Sequence, residues 1–175
     1  MNLTAIKGVK EIAVKHFLDS LACSKALILS DRPSLLDVGS GAGFPGLPLK
    51  ILHPQLSLTL LEPSEKKTSF LRHMIGTLRL GSVAVISKNL RDFAGSATKP
   101  GKFSHLITRA VSAAQILPFA AALLEERGRV ILCRTKPLDR DPQRYGLKIA
   151  REFDYELPYG FGHRVLTVLQ PLVVS

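Results

Sequence analysis

The chain has 175 residues and 46% hydrophobic content, the size and apolar share of a single domain (1–175) that buries its own core. Lys and Arg number 24 against 14 Asp and Glu; the resulting charge of +10 favours a polyanionic partner such as nucleic acid, with an anionic membrane surface as the plainer competitor. No apolar run reaches the ~18 residues of a spanning helix and the N-terminus lacks a signal-peptide pattern, so a cytoplasmic protein without membrane contact is expected.

In chain order, apolar residues at helical spacing over 9–22 predict a helix covering one edge or the top of the fold, part of an N-terminal helical cover (1–30) before a sheet core (33–175). From residue 35 onward short apolar runs alternate with helical patterns, the signature of a parallel sheet flanked by helices. Strands are predicted at 35–38, 56–61, 83–86, 105–108 and 129–133, with helices at 47–52, 64–80 and 113–125. Phe70, Leu71, Met74, Ile75 and Leu78 recur at helical spacing and form a core-facing stripe, while Lys66, Lys67, Arg72 and Arg79 line other faces. Residues 95–102 are polar with Gly and Pro, and a mobile surface loop is expected there. Apolar runs at 153–157 and 165–169 around Pro158-Tyr159-Gly160-Phe161-Gly162 predict an antiparallel closing hairpin. Cys23 and Cys133 have apolar neighbours and read as buried small hydrophobes, and the five histidines show no ligand spacing, so no metal site is expected.

The first strand runs into Asp37-Val38-Gly39-Ser40-Gly41-Ala42-Gly43-Phe44-Pro45-Gly46, a turn whose Gly39, Gly41 and Gly43 let a flat ligand lie on the main chain. Gly41-x-Gly43-x-x-Gly46 with a later acid, Glu62, also fits a dinucleotide fingerprint. A pyrophosphate, however, needs free backbone N–H groups at a helix N-terminus, and Pro45 and Pro48 remove two. Asp37 places negative charge where the pyrophosphate would sit, yet suits the ammonium and sulfonium of S-adenosylmethionine. The methyl donor is therefore the expected cofactor. Asp37, Glu62 and Arg109 each fall at or just after the C-terminal end of a predicted parallel strand, where such sheets bind ligands. Lys66, Lys67 and Arg72 read either as a solvated helix face or as phosphate contacts. His16 and Asp19, three apart on one helix, read as a local pair.

Taken together, Asn2-Leu3-Thr4, His16-x-x-Asp19-Ser20, the turn from Asp37 to Pro48, Lys66-Lys67-x-x-Phe70-Leu71, Thr108-Arg109-Ala110 and His163-Arg164 resemble the small-subunit ribosomal RNA guanine-N7 methyltransferases, the RsmG or glucose-inhibited division protein B family. The resemblance covers nearly the whole chain. It implies a Rossmann-like class I S-adenosylmethionine-dependent methyltransferase fold, with a mostly parallel, seven-stranded-type sheet, helices on both faces and an antiparallel C-terminal hairpin. It also implies methylation of N7 of a guanine in 16S ribosomal RNA, free or in the small ribosomal subunit, by a monomer. Carried over, Gly39 and Phe44 would contact the methionine end and sulfonium region, and Glu62, Pro63 and Ser64 the ribose hydroxyls. Leu90 and Arg91 would frame the adenine, and Arg109 would face the cofactor beside the substrate pocket as a positioning group. His16, Asp19 and Ser20 become substrate-side residues, and Lys136, His163 and Arg164 RNA contacts. Three departures stand out. Family members usually carry several tens of residues before Asn-Leu-Thr, and that helical extension is expected to be absent. The usual Arg-small-acid-acid run is Asn89-Leu90-Arg91-Asp92, which confines Arg91 to a backbone contact. Lys136 is followed by Pro137 in place of glycine.

Guanine N7 carries a lone pair and no proton, so its methylation needs alignment about 3 Å from the methyl carbon and no general base. No Asn-Pro-Pro-Tyr or Asp-Pro-Pro-Tyr run of amino-group methylation is present, nor the proline-cysteine motif of attack at pyrimidine C6. Two rival readings remain: an NAD(P)-type nucleotide-dependent oxidoreductase using the turn from Gly41 to Gly46, and a non-catalytic RNA- or ribosome-binding protein on the same fold.

Overall fold

A computed structural model describes residues 8–29, 31–96 and 101–172. The Asn2-Leu3-Thr4 motif and residues 97–100 of the expected surface loop lie outside them.

A helical segment opens the fold: α1 (Val9–Ile12), a π-helical stretch (Ala13–Leu18) and α2 (Asp19–Ala22) follow without a break and end in a 3₁₀ turn (Cys23–Ala26). The sheet then alternates with helices as β1 (Ser34–Val38), α3 (Gly46–Leu52), β2 (Ser57–Leu61), α4 (Glu65–Thr77), β3 (Val83–Ile86), α5 (Leu90–Ala94), β4 (Phe103–Thr108), α6 (Ala113–Leu123) and β5 (Leu124–Arg134). Two long strands, β6 (Leu147–Leu157) and β7 (Gly162–Pro171), close it.

The seven strands lie in the order β3-β2-β1-β4-β5-β7-β6. β1 to β5 run parallel, and β7 inserts antiparallel between β5 and β6. Alternate residues of a strand face opposite sides, so Leu36, Val38 and Leu106 enter a core with Ile116 and Leu117 of α6, whereas Leu35, Ile107 and Ile131 enter one with Leu49 and Leu71 of α3 and α4. Burial on both faces explains why these strands read as apolar runs instead of alternating patterns.

Three differences from the sequence reading stand out. β5 starts at Leu124, ahead of the expected 129, because its first turn carries exposed Glu125, Glu126 and Arg127 and its register against β4 shifts between Phe103 and His105. β6 begins at Leu147, ahead of the expected 153; it is the sheet edge, and its mostly exposed, charged residues hide the strand pattern. α5 was not anticipated. Asn89 caps it by accepting from the Asp92 N–H at 2.9 Å, and Leu90 and Phe93 bury its inner face.

The strand order reverses between β1 and β4, and a crevice opens there at the carboxyl ends of the parallel strands, the place where such sheets bind ligands. Thr108 holds it shut from below: its Oγ1 donates to the Val38 carbonyl at 3.0 Å and accepts from the Val111 N–H at 3.1 Å. Among the described residues, no helix is long and apolar enough to cross a membrane.

Candidate active site

The glycine turn occupies one side of the crevice. Gly39 has φ +72° and its missing Cβ would lie 2.5 Å from the Val111 Cγ2, so both the backbone angle and the approach of the β4–α6 connection require glycine. Gly41 and Gly43 also have positive φ. Six amides of the turn are used inside the protein. Gly39 and Ser40 donate to the Leu61 carbonyl, Gly43 and Phe44 to the Ser40 carbonyl, Gly41 to Glu62 Oε2 at 2.9 Å and Gly46 to Asp37 Oδ2 at 2.9 Å. A turn whose donors are spent in this way has little to offer a pyrophosphate.

Asp37 lies beneath the turn, fully buried. The contact expected from sequence is thus not made on an open surface: one carboxylate oxygen ties down Gly46, and the other, Oδ1, is the buried side-chain oxygen without a hydrogen-bond partner among the described residues. Burial pushes this carboxyl up to about 7, against the opposing influence of the Gly46 N–H and Arg109. Glu62 follows β2 and is 4% exposed; its second oxygen accepts from the Ser64 N–H at 3.1 Å, and Lys67 approaches it at 3.7 Å. An orphaned buried carboxylate oxygen next to a second buried carboxylate fits a cationic group better than an anionic one.

Facing the turn is a cluster that only the tertiary structure assembles. Arg109, just past β4, donates from Nη1 to the Lys15 carbonyl and shares a hydrogen bond between Nη2 and His16 Nδ1, both at 3.0 Å. Its guanidinium carbon stands 5.6 Å from the centre of the Phe44 ring, on which His16 stacks at 4.8 Å. Burial, then Arg109, lowers the His16 pKa, so the imidazole is neutral at pH 7 and accepts from the arginine. Asp19, 3% exposed, is the anionic hub: it accepts from Tyr155 Oη at 2.7 Å and Arg164 Nε at 3.3 Å, with Arg109 Nη1 at 3.8 Å. Ser20 is buried and donates to the His16 carbonyl.

Beyond Arg109 lies a cavity of about 760 Å³ over the ends of β4 and β5. Lys15, Arg109, Arg134, Lys136, Arg140 and Arg164 bring six positive charges to its wall against two carboxylates, Asp19 and Asp139. Of the expected RNA contacts, Lys136 and Arg164 line this cavity. His163 does not and pairs with Asp154 at 3.0 Å. Lys66, Lys67 and Arg72 sit on α4, outside the cavity lining, with Lys67 held by Glu62 and Arg72 near Thr68 Oγ1 at 3.5 Å. Pro63 is exposed, Ser64 is the residue just before α4, Leu90 is a core residue and Arg91 is exposed at the start of α5. Sequence reasoning missed Tyr155, Lys15, Arg134 and Arg140. No local signal marks them, because β6, the π-helical stretch, the end of β5 and the β5–β6 connection reach the site only through the fold.

This strand order, with β7 inserted antiparallel and a glycine turn at the switch point, defines a class I S-adenosylmethionine-dependent methyltransferase fold. Solved structures share it: a SAM-dependent methyltransferase from Aquifex aeolicus superposes with a TM-score of 0.65 over 93% of both chains at 12% identity. The precorrin-6y C5,15-methyltransferase from Geobacter metallireducens does so with 0.62 over 86% of both at 14% identity. Residues 1–145 match the family GidB, rRNA small subunit methyltransferase G, and the chain belongs to that family. It is 48% identical to the ribosomal RNA small subunit methyltransferase G of Pelotomaculum thermopropionicum over 117 residues, 67% of this chain and 49% of that protein. To the protein of the same name from Alkaliphilus oremlandii it is 32% identical over 177 residues, 96% of this chain and 74% of that protein. The chain spans about half to three quarters of the length of these curated relatives.

Proposed function

We propose that this protein transfers the methyl group of S-adenosylmethionine to N7 of a guanine in 16S ribosomal RNA, by in-line transfer without a general base. The observation that carries the reading is the position of Arg109, which touches Phe44 on the glycine-turn side and lines the basic cavity on the other. One residue thus borders both a cofactor bed and a nucleotide-sized space. The rRNA class follows from the family, and the N7 position from the resemblance alone, with which the chemistry below is compatible.

When bound, the cofactor supplies an electrophilic methyl carbon. The protein supplies alignment and charge. Gly39, Gly41 and Gly43 give the bed, and Phe44 walls the sulfonium region. Asp37, through its unpartnered Oδ1, would balance the charge of the ammonium. Each Glu62 oxygen accepts one backbone N–H and keeps a second lone pair for a ribose hydroxyl. Leu90 and Arg91 frame the adenine from the backbone at the start of α5, since the Leu90 side chain is spent in the core.

On the substrate side Lys15, Arg134, Lys136 and Arg140 hold phosphates, and the guanine enters the cavity beside Arg109. N7 needs no deprotonation, which agrees with a neutral His16 already engaged by Arg109 and with Asp19 committed to two arginines and a tyrosine. Neither is placed to act as a base. Catalysis then consists of holding N7 about 3 Å from the methyl carbon, in line with the departing sulfur. The six internally spent turn amides count against a dinucleotide-dependent oxidoreductase.

The test is transfer of labelled methyl from S-adenosylmethionine to small-subunit ribosomal RNA lacking its own N7-methylguanine, as naked RNA and as assembled subunit, with the modified base mapped. Label at guanine N7 is the expected result. Cofactor and RNA binding without transfer at saturating donor refutes it in favour of a non-catalytic binder, and tighter binding of NAD than of S-adenosylmethionine refutes it in favour of the oxidoreductase.

A further inference from the structure

Cys23 and Cys133 take no part in methyl transfer, and 110 residues separate them in sequence, yet their Sγ atoms lie 3.3 Å apart. Cys23 begins the 3₁₀ turn that ends the N-terminal helical segment and is 1% exposed. Its thiol also donates to the Asp19 carbonyl at 3.4 Å. Cys133 is the next-to-last residue of β5, 8% exposed, and it lines the basic cavity. Both are free thiols. A disulfide needs the sulfurs at about 2.05 Å, so bond formation asks for an approach of roughly 1 Å. The two residues sit on separate elements, a helix end and a strand end, and a covalent link here joins the helical cover to the sheet.

We propose that Cys23 and Cys133 form a reversible redox modification site, in which a small hydroperoxide entering through the cavity converts the pair to a disulfide that latches the N-terminal helical segment to β5. The hydroperoxide O–O bond breaks as one oxygen joins the Cys133 sulfur, and with hydrogen peroxide the other oxygen leaves as water with the thiol proton. The Cys23 sulfur then attacks the Cys133 sulfur. The S–O bond breaks, and its hydroxide takes the Cys23 proton as a second water. Two thiols have lost two electrons and the peroxide has gained them. Contact with Cys23 and burial push the Cys133 thiol well above its usual range, so thiolate is scarce and the oxidation is slow.

The experiment uses the full chain, reduced, exposed to hydrogen peroxide, quenched, and read by intact mass, by thiol titration in denaturant and by melting. The expected result is a mass lower by two hydrogen atoms and titratable thiols falling from two to none. Because the closed loop is long, the melting temperature should rise by roughly 10 °C. Dithiothreitol should reverse all three. Oxygen addition without loss of the two hydrogens, a disulfide between chains, or two thiols still titrating after prolonged exposure overturns the proposal. Cys23→Ala and Cys133→Ala each abolish the change in mass if the bond is the one proposed. The unsubstituted protein decides the matter even if either variant fails to fold. None of these readouts depends on methyl transfer, so the outcome is separate from that of the proposed function.

Discussion

Replacing Asp37 by Asn removes the charge and keeps the shape. The native carboxyl titrates at about 7 where an unfolded aspartate titrates at 3.8, so from roughly pH 4 to pH 7 the folded protein holds a proton that the unfolded chain has released. A raised carboxylate therefore lowers stability as pH rises through that window. At 1.36 kcal/mol per pH unit the loss amounts to about 4 kcal/mol. Asn still accepts from the Gly46 N–H but sets an amide N–H where the orphan Oδ1 stood, at a cost of about 1–3 kcal/mol that does not vary with pH. Asp37→Asn should consequently be less stable than the parent by about 1–3 kcal/mol below pH 4, close to it at pH 5, and more stable by about 1–3 kcal/mol at pH 8. Urea unfolding of both proteins at pH 5, 6, 7 and 8 measures the difference, in which every other titrating group cancels. A difference that stays constant across that range shows that Asp37 ionises normally and refutes the reasoning. The same variant should bind S-adenosylmethionine more weakly by about 1–3 kcal/mol in calorimetry, through loss of the charge that balances the ammonium.

Gly39→Ala should lower stability by about 1–3 kcal/mol in urea unfolding and weaken cofactor binding, since a Cβ at φ +72° meets Val111 at 2.5 Å; an unchanged midpoint would mean that the β4–α6 connection yields freely. Arg109→Lys keeps the charge but cannot reach both the Lys15 carbonyl and His16, so kcat/KM for methyl transfer should fall roughly 100-fold while cofactor affinity holds, and an equal fall in cofactor affinity would move Arg109 out of the substrate side. Replacing Arg134, Lys136 and Arg140 together by Ala should reduce the slope of log RNA affinity against log salt by about 2–3 units, against about 1–2 for Lys66 and Lys67 if α4 also reaches phosphate. An unaltered slope for the cavity triple would remove the cavity from the RNA interface.

The sheet was legible wherever burial was uniform. β1 and β2 are mostly apolar and buried along most of their length, and the short, half-buried β3 agrees with its expected limits at both ends. Legibility failed where exposure mixed with strand geometry. The first turn of β5 and most of the edge strand β6 carry charged, solvent-facing residues, and neither alternation nor an apolar run survives there. α5 is five residues long, below the length at which a helical period can be recognised, and only its Asn89-x-x-Asp92 cap announced it.

The site divides along the same physical line. Asp37, Gly39, Gly41, Gly43 and Phe44 follow one another in the chain, so the chemistry of the turn could be read before any tertiary contact was known. The opposite wall has no contiguous existence: Asp19 draws its Tyr155 and Arg164 partners from 136 and 145 residues away, and His16 meets Arg109 across 93. His16 and Asp19, which their spacing brings within electrostatic reach of each other, each also take long-range partners. A hub of this kind makes the cavity wall depend on how the N-terminal helical segment docks. Arg109 is held by Lys15, His16 and Asp19, all on that segment, so a change that loosens the segment would misplace the residue bordering cofactor and substrate and would also take His16 off the Phe44 ring. A loss of catalysis larger than the loss of cofactor binding is thus the failure this architecture invites.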